Sequence, residues 1–168
     1  RGLLERLWAR GLRADAGLEL FIHDGSAGLE AAFGLVSFGP GVLCQRCIFH
    51  VLQNVRDAVR GVGLSRQAKR ERRRAVLQAA APIWQATDRD TVRQRWQAFR
   101  EQWEAEEPEA VAVIARVWEQ TLAYLAVLEH ARERGESWAP QDLRTTSALE
   151  RVNRALRQKA RQVGTFQS

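Results

Sequence analysis

From Ser65 to about Gly135 the chain shows apolar residues at three- and four-residue spacing and nothing that reads as a strand. Any sheet must therefore come from the residues outside this stretch. Within it, Ser65 is placed to cap a helix running to about Thr87, and Asp90 to cap a second in which Val92, Trp96, Phe99 and Trp103 share a face. Pro108 suits the first turn of a third helix, with Glu106 and Glu107 near its positive end. That helix carries Val111, Ile114, Trp118, Leu122, Leu125 and Leu128 and is expected to end at Gly135.

The flanking residues differ in pattern. Residues 1–13 have helical spacing at Leu3, Leu4, Leu7, Trp8 and Leu12, and Gly17 closes the link that follows. LELFIH at 18–23 is short and apolar and runs into Asp24-Gly25, as a buried strand ending in a turn would. Ser26 is a candidate cap for a helix with Leu29, Ala32 and Phe33, and Gly39-Pro40-Gly41 breaks the chain after it. A short strand near 42–45, then a helix from about Cys47 to Arg60, is expected next. After a loop at 136–144 around Pro140, Thr145 or Thr146 caps a last helix. The expected class is mostly α with a small α/β part.

The charge is +6, carried almost wholly by arginine, which favours a polyanionic partner. No run of about 18 apolar residues exists to span a membrane, and no signal peptide is visible. Two cysteines three residues apart make a poor disulfide framework, so a reducing, cytoplasmic setting is expected. A chain that opens at Arg1 and contains no methionine is expected to be a piece of a longer protein or a processed one.

Several residues could carry chemistry. Asp24 ends a buried strand, where open α/β sheets place catalytic groups, although Asp-Gly also serves as a plain turn. Glu150 lies on the last helix, followed by Arg151, Arg154, Arg157, Lys159 and Arg161 with no further acid. One carboxylate among cations suits a divalent metal with phosphates beside it, although helical surface glutamates are often only solvated. Cys44, Cys47 and His50 form CxxCxxH. A zinc site would need a fourth ligand, and a nucleophilic Cys47 with His50 as base would need an orienting third group. The run RQAKRERRR at 66–74 reads either as a solvated helical face or as a sequence-blind contact to a DNA backbone.

Three blocks in order resemble the C-terminal half of mutator-type (IS256-like) bacterial transposases. FIHDGSAGL at 21–29 resembles the block around the family's second catalytic aspartate. CQRCIFHVLQNV at 44–55 resembles QRCxxHxxxNV, matching Gln45, Arg46, Cys47, His50, Asn54 and Val55. RTTSALERVNRALRQKARQVGTFQS at 144–168 resembles RTTNxIERLNxxxRRRxRxVGxFPS. The resemblance implies DNA transposition by a metal-dependent DDE enzyme that cleaves and joins strands, with Asp24 and Glu150 as catalytic and metal-binding residues. It implies Mg2+ or Mn2+ as cofactor, and Cys47 and His50 as an active-site motif. Arg144, Arg151, Asn153, Arg154, Arg157, Lys159 and Arg161 are then the DNA-binding residues. The implied fold is an incomplete RNase H-like one, with one or two parallel strands and an all-helical insertion. Residues 1–60 would form the partial core, 61–140 the insertion, and 141–168 the C-terminal core helix and basic tail.

Departures from the family pattern are visible. Ser147 stands where the family usually has Asn, Gln167 where it has Pro, and Cys44 where an aromatic is common. The first catalytic aspartate has no counterpart here, because Asp15 falls in a turn after a helix. The chain is therefore expected to be inactive alone, with DNA and either further copies or a full-length transposase as partners, and no membrane. The alternative is a non-catalytic helical DNA-binding or regulatory module derived from such an enzyme.

Overall fold

The computed structural model describes residues 2–36 and 38–163, with the side chains of Ala148 and of residues 160–163 also outside the description. Helix α1 is Gly2–Ala9, and a short 3-10 turn at Ala14–Ala16 leads to strand β1, Leu20–His23. Helix α2, Ala27–Leu35, links β1 to strand β2, Leu43–Arg46. The two strands are parallel, with Leu20 opposite Leu43 and His23 opposite Arg46. A helix between parallel strands is the connection such a pair requires. Helix α3 is Ile48–Ala58, with Cys47 at its N-cap.

The rest is helical as the periodicity demands: α4 Arg66–Ala80, a 3-10 stretch Ala81–Gln85 holding Pro82, α5 Arg89–Trp103, α6 Pro108–Val117, α7 Ala123–Glu133 and α8 Ser147–Val163. The architecture is mostly α with a small two-stranded parallel sheet. Ser65 caps α4 as expected, its hydroxyl accepting from the Ala68 N–H at 3.2 Å. Other details depart from the sequence reading. Helix α1 stops at Ala9, and Gly11 follows in the left-handed region, so Leu12 lies outside the helix. The cap of α5 is Asp88 rather than Asp90, accepting from the Thr91 N–H at 2.8 Å. Ser26 occupies the N-cap position of α2 but makes no capping bond with its side chain.

The helix expected from Pro108 to Gly135 is two helices. The buried side chain of Gln45, on β2, enters the gap between them. Its Nε2 donates to the Thr121 carbonyl at 3.1 Å, and its Oε1 accepts from the Tyr124 N–H at 2.9 Å. These are backbone groups that a continuous helix would have paired within itself, and a side chain inserted in that ladder breaks the helix. Gly135 ends α7 at positive φ, and the Glu136 N–H reaches back to the Ala131 carbonyl at 2.8 Å.

Buried side chains form two clusters. The larger joins α3 through α7 and reaches Leu143, with Trp84, Tyr124, Phe99, Ile83 and Ile114 fully covered. The smaller, around Leu4, Ala32 and Phe38, holds α1 and α2 against β1 through half-buried partners such as Phe21 and Phe33. Glu107 is buried at the start of α6 and accepts from the backbone N–H groups of Arg60 and Gly61, at 2.9 and 3.3 Å, tying the end of α3 to the helical body.

Candidate active site

The sequence blocks meet where β1, β2, α3 and α8 converge. Asp24 follows directly after β1. One of its oxygens accepts the Ser26 N–H at 2.9 Å, so it makes the Asp-Gly turn and also presents a carboxylate at the strand end. That bond holds the Asp24 carboxyl below its ordinary value, and the positive field of His50 adds to the effect. Gly25 has φ +85°, and a Cβ there would overlap the guanidinium of Arg46. The Arg46 guanidinium lies over this glycine and pairs with Glu30 at 2.7 Å. His23 is buried beside them, with Nδ1 3.8 Å from Glu30. Burial pushes its pKa down, against the opposing pull of Glu30.

The start of α3 meets the start of α8 through Cys47 and His50. Cys47 is fully buried, and its Sγ lies 3.4 Å from both the backbone N and the Oγ1 of Thr146, 99 positions away. The Ile48 N–H donates to the Arg144 carbonyl at 2.9 Å. Thr146 Oγ1 donates to Glu150 Oε1 at 2.8 Å, and the same oxygen lies 3.8 Å from Nε2 of His50. Cys47 thus seats the threonine that orients Glu150, and His50, one turn further on, faces that carboxylate. His50 thus faces Glu150 from the helix that follows β2, the strand paired with the one that Asp24 ends.

The residues of CxxCxxH lie in different surroundings. Cys44 lies on β2 and burial raises its pKa, whereas Cys47 is taken up by Thr146. Among the described residues no three His, Cys, Asp or Glu side chains gather in a way that could hold a metal ion. Asp24 and Glu150 are therefore two carboxylates that would need a further ligand.

The cations of α8 divide by face. Glu150, Arg154, Arg157 and Gln158 line one groove of about 340 Å³, as spacings of four, seven and eight residues on a helix require. Arg151 and Lys159 are exposed off that stripe, Asn153 is half-buried, and the side chain of Arg161 lies outside the described residues, as do Gln167 and the rest of 164–168. A second stripe, Leu149, Val152 and Leu156, is apolar and exposed. Arg144 stands apart from both: its guanidinium lies 5.7 Å from the centre of the Tyr124 ring, and burial lowers its pKa. Sequence reasoning missed Thr146 as the link between Cys47 and Glu150, though its place just before the last helix, four residues ahead of the glutamate, was a usable signal.

A family model described as "Transposase, Mutator family" matches residues 1–168, and the chain belongs to that family. It is 34% identical over 166 residues to the transposase for insertion sequence element IS406 of Burkholderia multivorans, a match covering 99% of this chain and 37% of that protein. It is 28% identical over 166 residues to the transposase for insertion sequence element ISRM5 of Rhizobium meliloti, covering 99% of this chain and 36% of the relative. The chain thus spans little more than a third of the length of these relatives. No solved structure is significantly similar to it. Among the described residues no helix is long and apolar enough to cross a membrane.

Proposed function

We propose that this chain supplies two of the three acidic residues of a DNA strand-transfer centre, Asp24 and Glu150, on an RNase H-like framework whose remaining strands and third acid come from outside residues 1–168. Residues 61–140 are then a helical insertion between the two acids. The observation that carries this reading is the junction at His50. It lies 3.8 Å from Glu150 on the helix that follows β2, and β2 runs beside the strand that Asp24 ends, although the two acids are far apart in sequence.

Carboxylate oxygens suit Mg2+ or Mn2+, and an ion held by both acids would activate a hydroxyl for attack on a phosphodiester. The chain's own residues have separable tasks. Thr146 fixes the orientation of Glu150, and Cys47 fixes Thr146. Arg154 and Arg157, on the face that carries Glu150, hold the phosphates of the strand being cut. The half-buried Arg144 sets the angle at which α8 leaves the helical body by stacking on Tyr124.

Manganese added to the chain is expected to broaden the NMR signals of the His50 ring protons first. Asp24→Asn and Glu150→Gln should each weaken that effect. Broadening that persists through both substitutions would sink the metal assignment. In a longer protein containing this chain, either substitution should abolish magnesium-dependent strand cleavage. The competing reading, a non-catalytic DNA-binding module, is favoured by the cationic stripe of α8. It requires DNA binding that ignores both substitutions and falls when Arg154 and Arg157 are replaced.

A further inference from the structure

The densest run of positive charge in the chain is not at the candidate centre. It is RQAKRERRR, the first two turns and more of α4. The fold sorts these arginines. Arg72 turns toward the helical body, where it lies 5.6 Å from the Trp103 ring centre and pairs with Glu106. Arg70, Arg73 and Arg74 turn the other way. With Leu77 they occupy helix positions one, four, five and eight, a single face.

That face meets Arg56 of α3 across a groove of about 520 Å³ lined by Arg56, Arg70, Arg73, Arg74, Leu77, Gln78 and Ala81. Arg70 and Arg74 are exposed at its rim, and Leu77 and Ala81 are half-buried. Arg73 is half-buried too, and its Nε is shielded from solvent without a hydrogen-bond partner. Among the described residues Arg70, Arg73 and Arg74 form no ion pair. The acid nearby is Asp57, held in a two-bond pair by Arg56 at 2.9 and 3.2 Å. Arg56 lowers the Asp57 pKa, and the field of Arg73 contributes in the same sense.

Four guanidinium groups from two helices with one carboxylate among them repel each other unless an anion joins them. Because Arg73 is half-buried, its guanidinium is held in the groove, which lowers the ordering cost of meeting a phosphate there. The arginines on α4 are spread over roughly 6 Å of helix axis, so they can meet successive phosphates of one strand rather than a single anion. The groove is open on its solvent side and has no polar floor that would read a base.

We infer that the α3–α4 groove is a second DNA contact, a sequence-blind seat for the phosphate backbone of a duplex, separate from the stripe beside Glu150. It rests on the DNA reading proposed above and extends it to the helical insertion. Arg56 lies six residues after His50 on α3, roughly 9 Å along the axis. DNA seated here is therefore held by the helix that also positions the candidate centre.

The test is titration of the 168-residue chain with two 20-base-pair duplexes of unrelated sequence at several salt concentrations. The triple variant Arg70→Gln/Arg73→Gln/Arg74→Gln should weaken binding roughly tenfold or more at about 0.1 M salt. It should also reduce the slope of log affinity against log salt by about 2 to 3, equally for both duplexes. A control with the same net charge, Arg89→Gln/Arg93→Gln/Arg116→Gln, should leave the slope nearly unchanged. Asp57→Asn should tighten binding, a gain that misfolding could not imitate. Equal losses in the two triple variants, a loss confined to one duplex, or weaker binding by a folded Asp57→Asn chain would each overturn the groove assignment. If the unaltered chain bound neither duplex, the DNA reading itself would fail. If it bound both but the groove triple matched the unaltered chain, only the groove would.

Discussion

Around Trp84 and Tyr124 the side chains are closed off from water on every side, whereas around Phe38 most apolar neighbours are only half-covered. The first region, α3 through α7, holds the stability. The second, α1 and α2 against a two-stranded sheet, holds Asp24. Because β1 pairs with a single strand among the described residues, the small region depends on β2, and β2 is anchored to the helical body by Gln45. The candidate centre is assembled from both regions, with Asp24 from the thin one and His50 from the thick one.

The comparison predicts unequal costs for equal deletions. Phe99→Ala should destabilise the chain by about 4 to 5 kcal/mol, and Phe38→Ala by about 3 kcal/mol, since the half-covered neighbours of Phe38 can collapse around the lost ring. Denaturant unfolding of the two variants checks this, and equal values would erase the distinction. Gln45→Ala strips the partner from the buried Tyr124 N–H and Thr121 carbonyl. It should cost about 3 kcal/mol and raise amide exchange at Tyr124 and Leu125 above that of α5. If exchange rose uniformly instead, Gln45 would not be the anchor between the regions.

A smaller effect should appear with pH. Burial keeps the His23 pKa below its ordinary 6.5 in the folded chain, so between those values the unfolded chain binds the extra proton. The stability tied to His23 is then fully present above about pH 6.5 and lost as pH falls toward the folded value. The side chain faces Glu30, Arg46 and Asp24, and Glu30 opposes the shift. His23→Asn should flatten that part of the stability curve, read from unfolding midpoints at a series of pH values. The smallest effect belongs to Asp24→Asn. The amide oxygen can still accept the Ser26 N–H, so stability near neutral pH should change by less than about 0.5 kcal/mol, read from denaturant unfolding. A large loss of stability would mean that Asp24 serves the fold first.

Helices with a long apolar stripe were legible because burial of that stripe decides them; α3 and α5 fall close to their expected places, whereas α4 ends at Ala80, before the expected Thr87, and gives way to the 3-10 stretch that holds Pro82. The cap of α5 moved by two residues because two aspartates of equal chemistry stand there, and only the backbone direction chooses Asp88. The break between α6 and α7 was not legible. Its cause is a glutamine 76 and 79 positions away from the carbonyl and amide it takes. The site shows the same division. Asp24, Cys47, His50 and Glu150 stand out as residue types in order, while the contact of Cys47 with Thr146 and the inward turn of Arg144 arise only from how α3 and α8 meet. In α8 the sequence reading kept Arg151, Arg154, Arg157 and Lys159 together, and it is the groove beside Glu150 that sets Arg154 and Arg157 apart.

The close approach of Arg46 to Gly25 has a consequence for how this surface can vary. A side chain at position 25 would have to expel a guanidinium that bridges to Glu30 and would also sit at a backbone angle it rarely tolerates. Saturation mutagenesis should therefore find one acceptable amino acid at 25, and tolerance at 46 limited by the need for a flat cation. The pair would then drift together or not at all, and the turn that carries Asp24 keeps one bare side because a guanidinium already fills the space a side chain would take.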